Sequence, residues 1–189
     1  MNKLILLSIG ILVAIISGCS SVPSKVAKGY SNPSLDGAPG WVLDPTSTPG
    51  IVAIGSAALG LGGVQFQRTE AMAAGRDELA RILSLKVKNS LENFARQTGI
   101  GDSQTFDKVT KDTSRQLAKE TLNGSRQKDL WLAQDGTMFI LVMLESKSVA
   151  EAAKRAIRSS FTNDNANFQQ VESAAALKEL DANIDKEFQ

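Results

Sequence analysis

The sequence predicts an α+β fold: a small three-stranded antiparallel sheet packed by long amphipathic helices, with an extra C-terminal helix. Three observations carry that prediction. Ile51–Ala57 is a short apolar run with β-branched residues, bounded by Pro49-Gly50 and by a glycine-rich stretch, which reads as a strand. Asp135-Gly136 separates two β-rich runs, Ser125–Gln134 and Thr137–Glu145. Asp-Gly at that place favours a tight type I′ hairpin, because glycine accepts the positive φ the turn demands. Longer segments elsewhere repeat apolar residues at helical spacing, the pattern of helices with one face toward a core.

The elements follow in chain order. Met1–Gly18 holds a positive start at Lys3, an apolar run Leu4–Ile16 and a small-residue end, Ser17-Gly18. That is the layout of a secretory signal peptide. Ile16-Ser17-Gly18-Cys19 looks like a lipobox, where bacteria lipidate a cysteine and then cleave before it. Only a thiolate makes the thioether to diacylglycerol, and the small Ser17 and Gly18 let the backbone enter the peptidase cleft. Cys19 is the one cysteine in the chain. The apolar run is about thirteen residues, short of the roughly 20 that span a bilayer, so an uncleaved membrane span is the weaker reading. Each buried methylene adds about 0.8 kcal/mol of membrane affinity, so two or three acyl chains hold a protein almost irreversibly. Ser20, in place of Asp, suits passage to the outer membrane of a Gram-negative cell.

Ser20–Pro39 is rich in Ser, Pro, Gly and Lys without hydrophobic periodicity, and reads as a tether. Trp41 opens the folded part as a core or edge anchor, and Pro45, Pro49 and Gly50 mark turns. Leu59–Gly63 is a glycine-rich connection. Thr69–Gln97 carries a helical stripe of Met72, Gly75, Leu79, Ile82/Leu83, Val87, Leu91 and Phe94/Ala95. Its early small residues invite a close neighbour. Leu83, Leu85 and Val87 also alternate, which leaves a strand open there. Thr105–Leu122 gives a second helix along Phe106, Val109, Thr113, Leu117 and Thr121, stopped by Asn123-Gly124. In the hairpin, Phe139–Leu144 is apolar on both faces and suits a central strand or a surface covered by a partner chain. Ser148-Val149-Ala150-Glu151 reads as a capping box that starts a helix through Phe161. Phe168–Phe188 is a last helix, placed to pack back or to pair between chains. The expected organisation is a signal peptide over 1–18, a lipidated tether over 19–40, an α+β domain over 41–161 and a C-terminal helix over 162–189.

Composition narrows the chemistry. Removing residues 1–18 leaves 171 residues, enough for a real core. The formal charge of +1 falls to about neutral once Lys3 is lost, so nothing points to nucleic acid. The chain has no histidine. This removes the commonest general base and metal ligand, and every Ser-His-Asp or Cys-His arrangement. With Cys19 lipidated, no thiol remains for a disulfide or a zinc site. No cofactor and no metal are expected.

Taken together, these residues resemble the Lpp-twenty family of bacterial outer-membrane lipoproteins. The resemblance rests on the lipobox, then Trp41-Val42 with Pro45, then Ile51–Ala57. It continues through the Ala-rich helix Ala71–Ala80 and the hairpin Leu130–Val142, and covers roughly residues 41–160. Gly75 departs from the pattern, which has alanine before the Arg. The resemblance implies a three-stranded sheet packed by helices and no catalytic residues. It also implies a surface-antigen or assembly role, as in the FlgP-type lipoproteins that form rings or disks around the flagellar base.

Other chemistry is weak. Gly55-x4-Gly60-x-Gly62-Gly63 lies where phosphate loops lie, but Val64-Gln65-Phe66-Gln67 follows in place of Lys-Ser/Thr. The acids Asp77/Glu78, Glu120/Asp129 and Glu70 sit among Lys and Arg as ion-pair partners. Trp131 suits packing better than glycan stacking. The expected function is therefore non-catalytic: a lipid-anchored outer-membrane protein, on the periplasmic face or the cell surface. It would associate with itself or with an envelope machine such as the flagellar outer-membrane disk. The alternative is a binding module for peptidoglycan or an envelope synthase.

Overall fold

The structure, a computed structural model, describes residues 32, 35–99, 103–162 and 173–189. Ile16, Ser17, Gly18 and Cys19, with the rest of the signal peptide and most of the tether, lie outside the described residues, as does Phe168–Val171. The folded unit runs from Asn32 to Gln189.

Pro39 leads into one helical turn, α1 (Gly40–Leu43), and then a 3-10 turn over Pro45–Ser47. Asp44 caps that turn: its carboxylate accepts from the Thr46 amide at 3.0 Å, with Pro45 preset for the first helical position. Gly50, at φ +106°, turns the chain into β1 (Ile51–Ala57), which matches the range read from the sequence.

β2 (Arg126–Leu132) and β3 (Met138–Leu144) form the hairpin, and the sheet order is β1-β3-β2, antiparallel throughout. β3 is central, as its two apolar faces predict. The hairpin turn differs from the type I′ expectation. Gly136 has φ +83°, but no described non-glycine residue has positive φ, so Asp135 cannot fill its half of a type I′ turn. Gly136 N–H donates to the Ala133 carbonyl, and Ala133 N–H to the Thr137 carbonyl at 2.8 Å. This is a three-residue loop with a left-handed glycine. β2 is an edge strand, with a register shift between Gln127 and Asp129 and with Arg126, Lys128 and Asp129 exposed. Charges and a bulge on an edge discourage further pairing.

One sheet face carries Ile51, Ala53, Met138, Ile140, Val142 and Leu144 into the core. Against it lies α2 (Gly63–Thr98), a helix about 54 Å long at 1.5 Å per residue. It starts earlier than Thr69 because Gln67 belongs to the buried stripe. Gln67, Ala71, Gly75, Leu79, Leu83, Val87 and Leu91 are all buried, at intervals of four. Four residues overshoot a 3.6-residue turn, so such a stripe drifts round the helix by about 40° per step. The first turns face the sheet and the later ones face other helices. Ala71, not Met72, takes the inner position, and exposed Leu85 settles the region as helix.

Gly99, at φ +67°, ends α2 with its N–H on the Ala95 carbonyl at 2.8 Å. α3 (Ser103–Thr121) buries Val109, Thr113 and Leu117. α4 (Ser146–Thr162) begins ahead of the expected capping box. Ser148 Oγ donates to the Glu145 carboxylate, while Glu151 accepts from Lys154, so the reciprocal Ser148–Glu151 cap does not form. Thr113 and Ser160 share a buried hydrogen bond of 3.1 Å. Phe94, Phe106 and Phe161 meet edge-to-face and join α2, α3 and α4.

The C-terminal helix α5 (Ala174–Glu187) packs back on α2 and α4. Ser173 caps it through the Ala176 amide. Leu180, Ile184 and Phe188 are buried in the common core. Asn183 donates to Gln97 at 2.6 Å, and the Lys86 ammonium reaches the Glu187 carbonyl and lies 5.8 Å from the Phe188 ring centre. The α+β class and the helix-covered sheet are as predicted.

Candidate interaction surface

Two glycines fix how the sheet meets α2. A Cβ on Gly55 would lie 1.9 Å from the Ala71 carbonyl oxygen and 2.3 Å from the Gly75 nitrogen. One on Gly75 would lie 2.5 Å from Val142 Cγ2. Strand and helix backbones therefore touch directly. The unexpected Gly75 admits a closer neighbour. Gly55 serves this contact inside β1, which removes it from any phosphate cradle.

Beyond β1 the chain forms a tip. Leu59, Leu61, Val64 and Phe66 are each more than half exposed, and Leu132 at the end of β2 is exposed beside the same end of the sheet. Leu61 is fully exposed. The base of the tip is tied down by buried Gln67, whose Nε2 donates to the Ala57 carbonyl at 3.0 Å and the Gly136 carbonyl at 2.7 Å. One amide thus joins strand end, helix start and hairpin loop. Without it two inward-facing carbonyls would lose their partner. A Cβ on Gly136 would sit 3.7 Å from Leu59 Cβ, so the hairpin loop flanks the tip. Arg68, the first charged residue past the tip, donates to Gln127 on β2.

The sheet face away from α2 carries Val52, Ile54, Phe139, Leu141, Met143 and Trp131. α1 contacts β3, and Trp41 is half-buried. Trp131 stacks at a tilt on Phe139, centroids 5.4 Å apart, and both rings stay partly exposed. Trp131 is thus a packing residue with one open side.

The remaining candidates are surface groups. Glu70, Asp77 and Asp129 are exposed, and Glu78 pairs with Arg81. The Glu120 side chain lies outside the described ones. Lys154 sits between Asp185 at 2.7 Å and Glu151 at 3.1 Å. The hydrogen bond to Asp185 is the largest cause raising its pKa above the ordinary 10.5; burial opposes it, and Glu151 adds to the rise. This cluster stitches α4 to α5. Among the described residues, no three His, Cys, Asp or Glu side chains gather as metal ligands. No described helix is long and apolar enough to cross a membrane.

Sequence reasoning treated Leu59–Gly63 as a mere connection and weighed Val64–Gln67 only as a failed phosphate motif. A signal for the tip was present: residues 57–67 include no Asp, Glu, Lys or Arg. A family model described as LPP20 lipoprotein matches residues 39–145, more than half of the chain. The match runs from just ahead of α1 to the residue after β3; α4 and α5 lie beyond it. No curated protein matches the chain.

Proposed function

The chain belongs to the LPP20 lipoprotein family, and from that premise we propose that it is anchored in the outer membrane through acyl chains on Cys19. We assign it a non-catalytic assembly role there, through self-association or within an envelope machine such as the flagellar outer-membrane disk. The observation that carries the reading is Ile16-Ser17-Gly18-Cys19 behind a short apolar leader. The family match supports it independently, since it begins at residue 39, after the lipobox.

The mechanism is confinement. A membrane anchor turns a three-dimensional search into a planar one and raises effective concentration, so weak lateral contacts suffice to build a ring or lattice. The partly open Trp131–Phe139 face offers a surface for such contact.

Mass spectrometry of the mature protein tests the anchor: the first residue should be Cys19 carrying acyl mass. Cys19→Ser should abolish that mass and release the protein from the membrane pellet. A mature protein whose Cys19 carries no acyl mass would refute the anchor. For the assembly role, detergent-extracted protein should run as large closed oligomers, and deletion should impair motility if the machine is flagellar. Monomers at high concentration with normal swimming would refute it. Co-sedimentation with purified sacculi would instead favour a peptidoglycan-binding module.

A further inference from the structure

We propose that the apolar tip made by Leu59, Leu61, Val64 and Phe66 inserts into the interfacial layer of the bilayer that holds the lipid anchor. The inference rests on the anchor reading above and adds a second, noncovalent membrane contact that orients the domain.

The tip has the chemistry of an interfacial wedge. Its side chains are Leu, Val and Phe, and residues 57–67 hold no ionisable group to desolvate. It is also convex. A Cβ added at Gly60 or at Gly63 would meet nothing within 4 Å. A protein partner needs a complementary surface with a packed centre, whereas a fluid acyl boundary moulds itself round a protrusion. That shape and the glycines favour lipid over a second copy of the chain.

The tip is also held and aimed. Gln67 pins its base to β1 and to the hairpin loop. Phe66 lies over Gly62, where a Cβ would come within 2.7 Å of Phe66 Cβ and Cγ. Placement agrees. The chain enters the folded unit through α1, which touches β3, and the sheet packs on the early turns of α2. The chain enters the sheet at the Ile51 end of β1 and the tip follows its Ala57 end, and the seven-residue strand between them is about 23 Å long. Residues 20–39 extend at most about 72 Å, so the covalent chain lets the tip reach the bilayer that holds Cys19.

The experiment uses the mature lipidated protein in phosphatidylethanolamine–phosphatidylglycerol vesicles, some with doxyl-labelled acyl chains. Leu61→Cys and Val64→Cys supply single thiols for an environment-sensitive nitrobenzoxadiazole label, because a lipidated Cys19 has none free. Leu85→Cys is the control, also exposed and about 33 Å along α2 from Gly63. Thermal melts confirm that each variant folds. The expected result is blue-shifted emission and at least twofold quenching by doxyl lipid at residues 61 and 64, with neither at 85. Floated protein with no quenching at 61 and 64 overturns the proposal. So does a blue shift that grows with protein density but ignores doxyl lipid, which would place a second copy on the tip. Labelling of the wild-type protein reports a free Cys19 and refutes the anchor itself; anchored protein without quenching refutes the tip alone.

Discussion

Replacing Gly55 by alanine tests the backbone contact on which the fold closes. The added Cβ would sit 1.9 Å from the Ala71 oxygen, and ordinary contact begins at 3.4 Å, so α2 must lift from β1 by about 1.5 Å. Neither obstructing group is a side chain that can rotate away. Overpacking costs about 1–3 kcal/mol, and this case belongs at the upper end. Alanine also restricts the unfolded chain, which returns about 0.4–1 kcal/mol. The net loss is about 2–3 kcal/mol, a sizeable part of a typical domain stability of about 5–15 kcal/mol. At this chain length each kcal/mol lowers Tm by about 2–4 °C, which predicts a drop of about 4–12 °C. Urea titration followed by circular dichroism gives the free energy directly. Gly75→Ala is the internal comparison. Its main obstacle is one methyl of Val142, at 2.5 Å, with the Gly55 nitrogen at a milder 3.2 Å, and alanine gains about 1 kcal/mol of helix propensity, so its loss should be about 1 kcal/mol, below that of Gly55→Ala. A Gly55→Ala midpoint equal to wild type, or a smaller loss than Gly75→Ala, would refute direct backbone packing.

Other outcomes follow from single contacts. Ile184→Ala should cost about 2–4 kcal/mol, because its side chain is wholly buried between helices; a urea midpoint near wild type would mean that α5 does not complete the core. Gln67→Ala should cost about 1–3 kcal/mol by stripping two carbonyls of their partner, with faster amide exchange in the hairpin loop as the local sign; unchanged exchange there would contradict the tie. Lys154 has a raised pKa in the folded state, so its contribution is complete below 10.5 and is lost as pH rises through the higher folded value. It is worth under about 1 kcal/mol, since Asp185 is half exposed and screened. The stability gap between wild type and Lys154→Met should therefore close above pH 10.5, and a gap that persists would rule out the ion pair as its source.

Much of the fold was legible because one-dimensional patterns survive into three dimensions. Pro49-Gly50 and glycine bracket β1, and two-faced apolarity places β3 at the centre. The early turns of α2 were harder. Gln67 is polar, so it breaks the hydrophobic stripe on paper while continuing it in space through two hydrogen bonds. The hairpin turn misled because Asp-Gly suits several turns, and the choice is made by which residue must adopt positive φ, here Gly136 alone in the loop. Ser148 and Glu151 have capping-box spacing, but Glu145 and Lys154 compete for their side chains. The apolar tip was missed for a different reason. Four large residues among three glycines have no periodicity, and only their shared exposure marks them as a surface.

The length of α2 carries a geometrical consequence. Its first turns lie on the sheet and its last turns carry the helical layer, so the two ends of the molecule move as parts of one rod. An angular error of 10° at one end displaces the other by about 9 Å over a 54 Å helix. Registering neighbours at the far end therefore demands that the near end be seated to within a few degrees. Attachment at a single point leaves rotation about that point and cannot supply that alignment; a second point of support can.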